Sequence, residues 1–429
     1  MIGARHLSCG KNPFRRLTPN WLILIGVIML CANAEAGQLM AGAAEREITP
    51  SVRTPLAGYS RRHGTLSTGV HDPVFVRAVV LQDGERSVAL VSADLLIIDE
   101  RLFNAVRHRV EIAPRAVPMT ILLAATHTHS GPGAYGRKLL EKISMGHYDP
   151  RVFDELAARI AEAILSASDT LKPVGVHYAV GPTVGAVHNR MTDDGVVDAE
   201  LSVVAFEAID HQPVAIVANF AAHPTTLGSR NMAVSADYPG VLVQRLHAAH
   251  PSAVALFFPG AVGDQGPVKQ GEGFEPAKRL GEALAQDAEA LLARSTADAD
   301  GGLQIRQRVV PLAPAQVRLG GWTLPRFLGQ SLVDDDATLT VAAVGPVLFM
   351  GVPCDLSAEL GLELKRHATA RGFQPVVVGF ADDYVGYCLP SRVYDAKHYE
   401  ASMAFNGPGT GEQLVEELKK MIDELASSQ

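Results

Sequence analysis

Cysteine is scarce in this 429-residue chain: Cys9, Cys31, Cys354 and Cys388 are the whole supply. That excludes a disulfide-stapled scaffold, and neither a CxxC pair nor an HExxH helix is present to mark a compact zinc motif. Aromatic residues make up only 6% of the chain. Positive charge is in deficit, with 38 Lys and Arg against 46 Asp and Glu and a formal net charge of −8. No basic cluster appears in the body of the chain, so a nucleic-acid partner is not expected. No repeat or low-complexity tract occurs. The apolar run near the N-terminus, Trp21 to Leu30, is too short for a comfortable membrane span. What is present is a 47% hydrophobic, 20% charged composition, which predicts a folded core of one large or two ordinary domains.

The first 36 residues read as a secretory signal. Arg5, Lys11, Arg15 and Arg16 precede the apolar run, and Ala32-Asn33-Ala34 and Ala34-Glu35-Ala36 are small-x-small cleavage candidates. Removing this segment takes away four basic residues and Glu35, so the formal charge moves from −8 to −11. An exported, periplasmic or extracellular protein is the expectation. There, Cys354 and Cys388 either pair or remain a free buried pair.

Strands and helices alternate along the rest. Val74 to Leu81 and Ser87 to Ala93 flank Asp83-Gly84, a hairpin signal. Asp149-Pro150 opens a helix whose Phe153, Leu156, Ile160 and Ile164 fall at helical spacing. Ile121 to Ala125, Ser202 to Ala208, Val214 to Phe220, Ala253 to Phe258 and Val376 to Val378 read as strands. Helices are predicted at Pro239 to His250, Pro276 to Leu292 and Gly411 to Leu425. Thr338 to Val344 and Val347 to Val352 form a hairpin across Gly345-Pro346. The expected class is α/β, a mixed central sheet flanked by helices.

Chemistry-bearing residues follow the strands. The buried run ending at Ala125 is succeeded by Thr126-His127-Thr128-His129-Ser130-Gly131-Pro132-Gly133. Two imidazoles separated by one residue share a face in extended chain, and strand ends are where α/β folds place ligands. Solvated loop histidines are the plain alternative. His223, Asp264, Asp355, Tyr384 and Tyr387 stand at comparable positions after later strands. Each alone is weak, since a strand-end Asp caps the next helix more often than it binds metal. Together they are the imidazole and carboxylate set that zinc takes. Asp94 and His71 are candidate partners for a ligand histidine, with ordinary structural roles equally open. Phe257, Phe258, Trp322 and Phe327 are candidates for lining an acyl groove, although core packing accounts for the first two as well.

The chain resembles the neutral/alkaline non-lysosomal ceramidases. The resemblance runs through Pro55-Leu56-Ala57-Gly58-Tyr59, Gly69-Val70-His71-Asp72-Pro73 and Ser92-Ala93-Asp94. It continues through the Thr126 to Gly133 motif, Asn189-Arg190, and the late block Tyr384-Val385-Gly386-Tyr387, Tyr394 and His398-Tyr399-Glu400. It implies one catalytic domain over 37–429, without the family's C-terminal immunoglobulin-like domain. It also implies a zinc-dependent amidase acting on ceramide or a related N-acyl lipid, with peripheral membrane contact to reach that substrate. Carried over by motif, His127, His223, Asp355 and Tyr387 would hold or adjoin Zn2+. His129 would handle protons, Arg190 and Tyr399 would bind or polarise the substrate, Asp264 would be a secondary base, and Gly58 would line the cleft. Two departures stand out. Asp355 replaces a glutamate, and Gly266, in Gly263-Asp264-Gln265-Gly266-Pro267-Val268, stands where the family has its active-site serine. With no oxygen at Gly266, zinc-activated water is the implied nucleophile. The alternatives are an amidase or esterase for a small non-ceramide substrate, and a non-catalytic zinc- or ligand-binding homologue.

Overall fold

The computed structural model describes residues 38–114, 117–298, 302–319, 322–325, 329, 332–394 and 398–428. The expected signal segment at 1–36 and Phe327 lie outside the described residues, as does the side chain of Trp322.

Eight strands build the first sheet: β1 (Met40–Glu47), β2 (Phe75–Asp83), β3 (Arg86–Ala93), β4 (Thr120–Ala125), β5 (Lys172–Pro182), β6 (Glu200–Ala208), β7 (Pro213–Phe220) and β8 (Val254–Pro259). Their spatial order is β8-β7-β6-β5-β1-β2-β3-β4, and Thr296–Asp298 adds a short ninth strand beside β5. The expected hairpin joins β2 to β3. Asp83 pairs with Arg86, and Gly84 takes φ +58°, a left-handed turn conformation that glycine adopts without steric cost. β3 runs parallel to β4, and β7 parallel to β8; the remaining main pairings are antiparallel.

The later strands form a separate second sheet rather than extending the first. β9 (Leu303–Pro311), β10 (Asp336–Val344), β11 (Val347–Val352) and β12 (Gln374–Gly379) lie in that order, with β11 and β12 parallel. One apolar cluster draws Val88, Leu90, Leu122 and Leu256 from the first sheet and Ala342, Phe349 and Val376 from the second, so the sheets pack face to face. Alternate residues point the other way. Ala89, Val91 and Leu123 meet helices α1 (Glu100–Glu111) and α3 (Pro150–Ser168). Ala255 and Phe257 meet α4 (Asp237–Ala249) and α5 (Glu275–Leu292), and Leu348 and Met350 meet α6 (Ala358–Thr369) and α7 (Thr410–Ala426). The layers are therefore helix, sheet, sheet, helix. A short helix, α2 (Leu139–Met145), lies off this framework. Phe257 and Phe258 belong to opposite core faces, which settles them as packing residues.

The carboxyl ends of the three parallel pairs meet. Ala125 N donates to Phe380 O, Thr126 N to Ala93 O, and Ala124 bridges Ala381. This is the end at which the motif histidines emerge.

Candidate metal centre and cleft

His127 follows β4 by two residues on a left-handed backbone, φ +64°. Its ring is fixed from two sides. It stacks on Phe380 at 3.7 Å and 6°, and Nδ1–H donates to Leu96 O at 2.6 Å. Since a carbonyl only accepts, Nδ1 carries the proton and Nε2 a lone pair. His223, three residues beyond β7, repeats the device with Nδ1–H on Val262 O at 2.8 Å. The two Nε2 atoms face each other at 3.0 Å, and His129 Nε2 lies 3.2 Å from that of His127. The carboxylate of Asp355, three residues past β11, completes the group. Its Oδ1 is 3.3 Å from His223 Nε2 and 3.6 Å from His127 Nε2.

Facing lone pairs and a buried anion repel one another unless something positive lies between them. Asp355 Oδ1 is buried with no hydrogen-bond donor among the described residues, as is His129 Nδ1. Burial pushes the His127 imidazole down to about 3 and drives His129 and His223 well below the usual range, so all three are neutral bases. The same burial pushes Asp355 up to about 7, against the hydrogen bond from Tyr384 and the charge of Arg190. A zinc ion with ligand arms of about 2.0–2.2 Å separates tetrahedral donors by roughly 3.3–3.6 Å. The observed spacings among His127, His223 and Asp355, 3.0, 3.3 and 3.6 Å, lie at or just below that edge. The residues therefore fit a divalent ion of zinc's size and ligand preference.

Tyr387 sits beside Asp355 because Asp355–Leu356 and Tyr387–Cys388 pair as short parallel strands. Its hydroxyl accepts from Arg190 Nη2 at 2.8 Å. Arg190 is clamped further by Gly263 O at 2.8 Å and by an ion pair to Glu400 at 2.9 Å. Tyr399 stands 6.0 Å from the Tyr387 ring with its side chain largely exposed. Gly58, φ +103°, lies so close to His129 that a Cβ there would fall 2.5 Å from Nδ1, which only a glycine avoids. His127, His129, Asp355, Tyr387, Tyr399 and Gly58 line one cavity of about 90 Å³.

Four sequence candidates lie elsewhere. Asp264 does not line this cavity. Its Oδ1 accepts from the Ala358 N–H that opens α6 and from Gln265, and its Oδ2 accepts from Asn189. Asn189 in turn shapes the loop that carries Arg190. Gly266 is buried against His188, where a Cβ would come within 2.8 Å of the imidazole. Asp94 binds Phe75 N and Arg77, and His71 pairs with Asp72 and stacks on Phe274. Neither reaches a ligand histidine, whose partners are backbone carbonyls. Cys354 and Cys388 are buried free thiols flanking Asp355 and Tyr387.

Three contributors were assigned no specific role by the sequence reading, although Tyr384 was among its candidates. Tyr384 donates its hydroxyl to Asp355 Oδ2 at 2.8 Å, Phe380 supports His127, and the Lys138–Asp334 ion pair stands at the cavity wall. Tyr384 was marked by the tyrosine-rich block; the other two had no local signal.

Residues 39–250 match the family described as neutral/alkaline non-lysosomal ceramidase, N-terminal. The neutral ceramidase of Pseudomonas aeruginosa is 23% identical over an alignment covering 90% of this chain and 73% of that protein. That of Mycobacterium tuberculosis is 25% identical over 59% of this chain and 45% of the relative. Neutral ceramidase B of Dictyostelium discoideum is 28% identical over 46% of this chain, which spans 30% of that relative. The crystal structure of the Pseudomonas aeruginosa enzyme superposes with a TM-score of 0.81 at 20% identity, covering 91% of this chain and 75% of that one. With the strand-end histidines and the tyrosine-rich block in the places described, residues 39–250 match the neutral/alkaline non-lysosomal ceramidase N-terminal family, and the fold over 91% of the chain is that of the Pseudomonas aeruginosa enzyme.

Proposed function

We propose that this protein is an exported, zinc-dependent amidohydrolase that cleaves an N-acyl amide, ceramide or a related N-acyl lipid. The observation that carries the reading is the convergence of the His127 and His223 Nε2 atoms on the donorless Oδ1 of Asp355, with His129 Nε2 beside that of His127. Its position at the base of a cleft walled by Tyr387, Tyr399 and Phe405 supports it.

His127, His223 and Asp355 would hold the ion, with Tyr387 adjoining it. Bound there, zinc supplies a Lewis acid for the acyl carbonyl and lowers the pKa of water. The remaining work falls to side chains. Arg190, held by Glu400 and Gly263, sets the Tyr387 hydroxyl toward the developing oxyanion. His129, neutral through burial, takes a proton from the attacking water and returns it to the leaving amine. Tyr399 orients the substrate at the mouth. Asp264 acts at one remove, positioning the Asn189-Arg190 loop. Tyr384 fixes the Asp355 carboxylate so that Oδ1 faces the imidazoles.

His188 over Gly266 favours a second substrate reading. The imidazole fills the space against the glycine that stands in the serine position, so no serine hydroxyl is available there to a sphingoid head group. An N-acyl amine with a smaller head than a sphingoid base fits that change. The test is fatty-acid release from purified, metal-quantified protein, using ceramide and a panel of N-acyl amino acids. Zinc at one equivalent, loss of turnover on chelation and loss of both in His127→Ala are expected. A His127→Ala protein that lost its metal yet kept its turnover would overturn the mechanism.

A further inference from the structure

The helix α2 has two faces with different surroundings. Leu140, Glu141 and Ser144 line the cleft, and the Ser144 carbonyl accepts from Gly58 N at 3.0 Å, tying the helix to the glycine beneath His129. Glu141 is turned inward and caps the helix by accepting from Lys138 N. The opposite face carries Leu139 and Ile143, one turn apart, which are 57% and 49% exposed. Between and before them stand the exposed cations Lys142 and Arg137. Leu66, 48% exposed, is a further aliphatic held near the end of the helix. It bridges Pro55, whose ring abuts Gly146 at the end of the helix.

Exposed single aliphatics are ordinary; three beside two cations at the rim of a catalytic cleft are not. The chain carries a formal charge of −8, so a random face would be repelled by an anionic surface. At this rim the helix's one acid is drawn into the cleft and Lys138 is paired with Asp334, while Arg137 and Lys142 face out. Aliphatic side chains flanked by Lys and Arg are the chemistry of a helix lying in the headgroup region of an anionic bilayer.

We propose that the outer face of α2, with Leu66, docks on an anionic lipid surface. This orients the cleft toward the bilayer, so that an acyl chain enters past the inner face of the same helix. The inference rests on the hydrolase reading for its substrate, but docking is measured without turnover. The experiment is flotation of the purified protein with vesicles of phosphatidylcholine alone and of phosphatidylcholine mixed with phosphatidylglycerol. Turnover of a water-soluble short-chain N-acyl amide is followed in parallel. Wild type is expected to favour the mixed vesicles by about tenfold, with the preference weakening in salt. Leu139→Asp combined with Ile143→Asp is expected to lower partitioning about tenfold while soluble-amide turnover and the thermal melt stay unchanged. Arg137→Glu with Lys142→Glu is expected to erase the preference for anionic vesicles. Equal partitioning of wild type and the aspartate variant would overturn the proposal. So would a failure of wild type to float, or a wild-type dimer in sedimentation velocity that the aspartate variant dissolves. Flotation without any turnover of the soluble amide would support the docking face and overturn the hydrolase reading.

Discussion

At the residue scale, much of the site is determined by what a side chain is denied. His127 is denied a relaxed backbone: its φ of +64° costs on the order of 1–3 kcal/mol for a non-glycine residue, and the Phe380 stack and Leu96 hydrogen bond hold it there. Gly266 is denied a side chain altogether. Placing a serine there is not a simple exchange, because the new Cβ falls 2.8 Å from the His188 ring. Gly266→Ser is expected to cost roughly 1–3 kcal/mol through overpacking. His188→Ala should recover most of that loss, because it removes the ring the new atom meets. Urea denaturation of the wild type, both single variants and the double variant measures the coupling directly. Additive costs would mean that His188 simply swings away, and would remove the steric basis for the smaller-head reading. The Gly266→Ser, His188→Ala protein is then the proper form in which to ask whether ceramide turnover rises.

At the element scale, the histidine motif is aimed by a clamp between the two sheets. Asp382, φ +65°, follows β12 and accepts Leu123 N from β4 at 2.8 Å through Oδ1 and the Thr340 hydroxyl from β10 at 2.6 Å through Oδ2. Desolvation pushes this buried acid up to about 7 from an unfolded value of 3.8. Between those values the folded state holds a proton that the unfolded chain has released, so stability falls as pH rises through the window and levels off above it. Asp382→Asn cannot titrate. The stability advantage of wild type over this variant should therefore shrink between pH 5 and pH 8, by at most on the order of 3 kcal/mol. A difference in denaturation midpoints that did not change with pH would show the carboxyl to be ionised throughout. Elements of this kind divide what the sequence discloses from what it hides. The continuous apolar run Ile121 to Ala125 placed β4, the Asp-Gly turn placed the hairpin of β2 and β3, and Asp149-Pro150 placed the start of α3. Division into two sheets was not legible. Both inner faces are continuous aliphatic, so nothing local separates a strand of one sheet from a strand of the other. Pro239 marked α4 two residues late, because the helix begins at Asp237 on a left-handed residue. Asp264 and Asp355 both follow strands, yet only the backbone geometry around them shows one capping α6 and the other facing the imidazoles. The motif histidines were legible because two of them stand together. Phe380 and Asp382, which aim them, act across more than 250 residues of chain, and no spacing rule reports that.

At the scale of the whole molecule, the donor set joins the two sheets. His127 and His223 extend from β4 and β7 of the first, and Asp355 from β11 of the second, with the shared apolar interface behind them. An ion held by all three would cross-link elements far apart in the chain, and its removal would leave facing lone pairs and a buried carboxylate uncompensated. Metal binding to the folded state alone stabilises by the linkage relation, about 4 kcal/mol when free zinc is a thousandfold above its dissociation constant. Stripping the metal with a chelator is therefore expected to lower the melting temperature by roughly 5–10 °C for a protein of this size. Because the sheets share one core, the loss should appear as one displaced cooperative transition, not as early melting of part of the molecule. Calorimetry before and after chelation, followed by re-addition of zinc, checks both points. The His127→Ala protein serves as the control, since its melt should be indifferent to chelator. A wild-type melt unmoved by chelation, in protein shown by elemental analysis to have held zinc, would mean that the ion sits elsewhere and that the imidazole–carboxylate cluster is held together by protons alone.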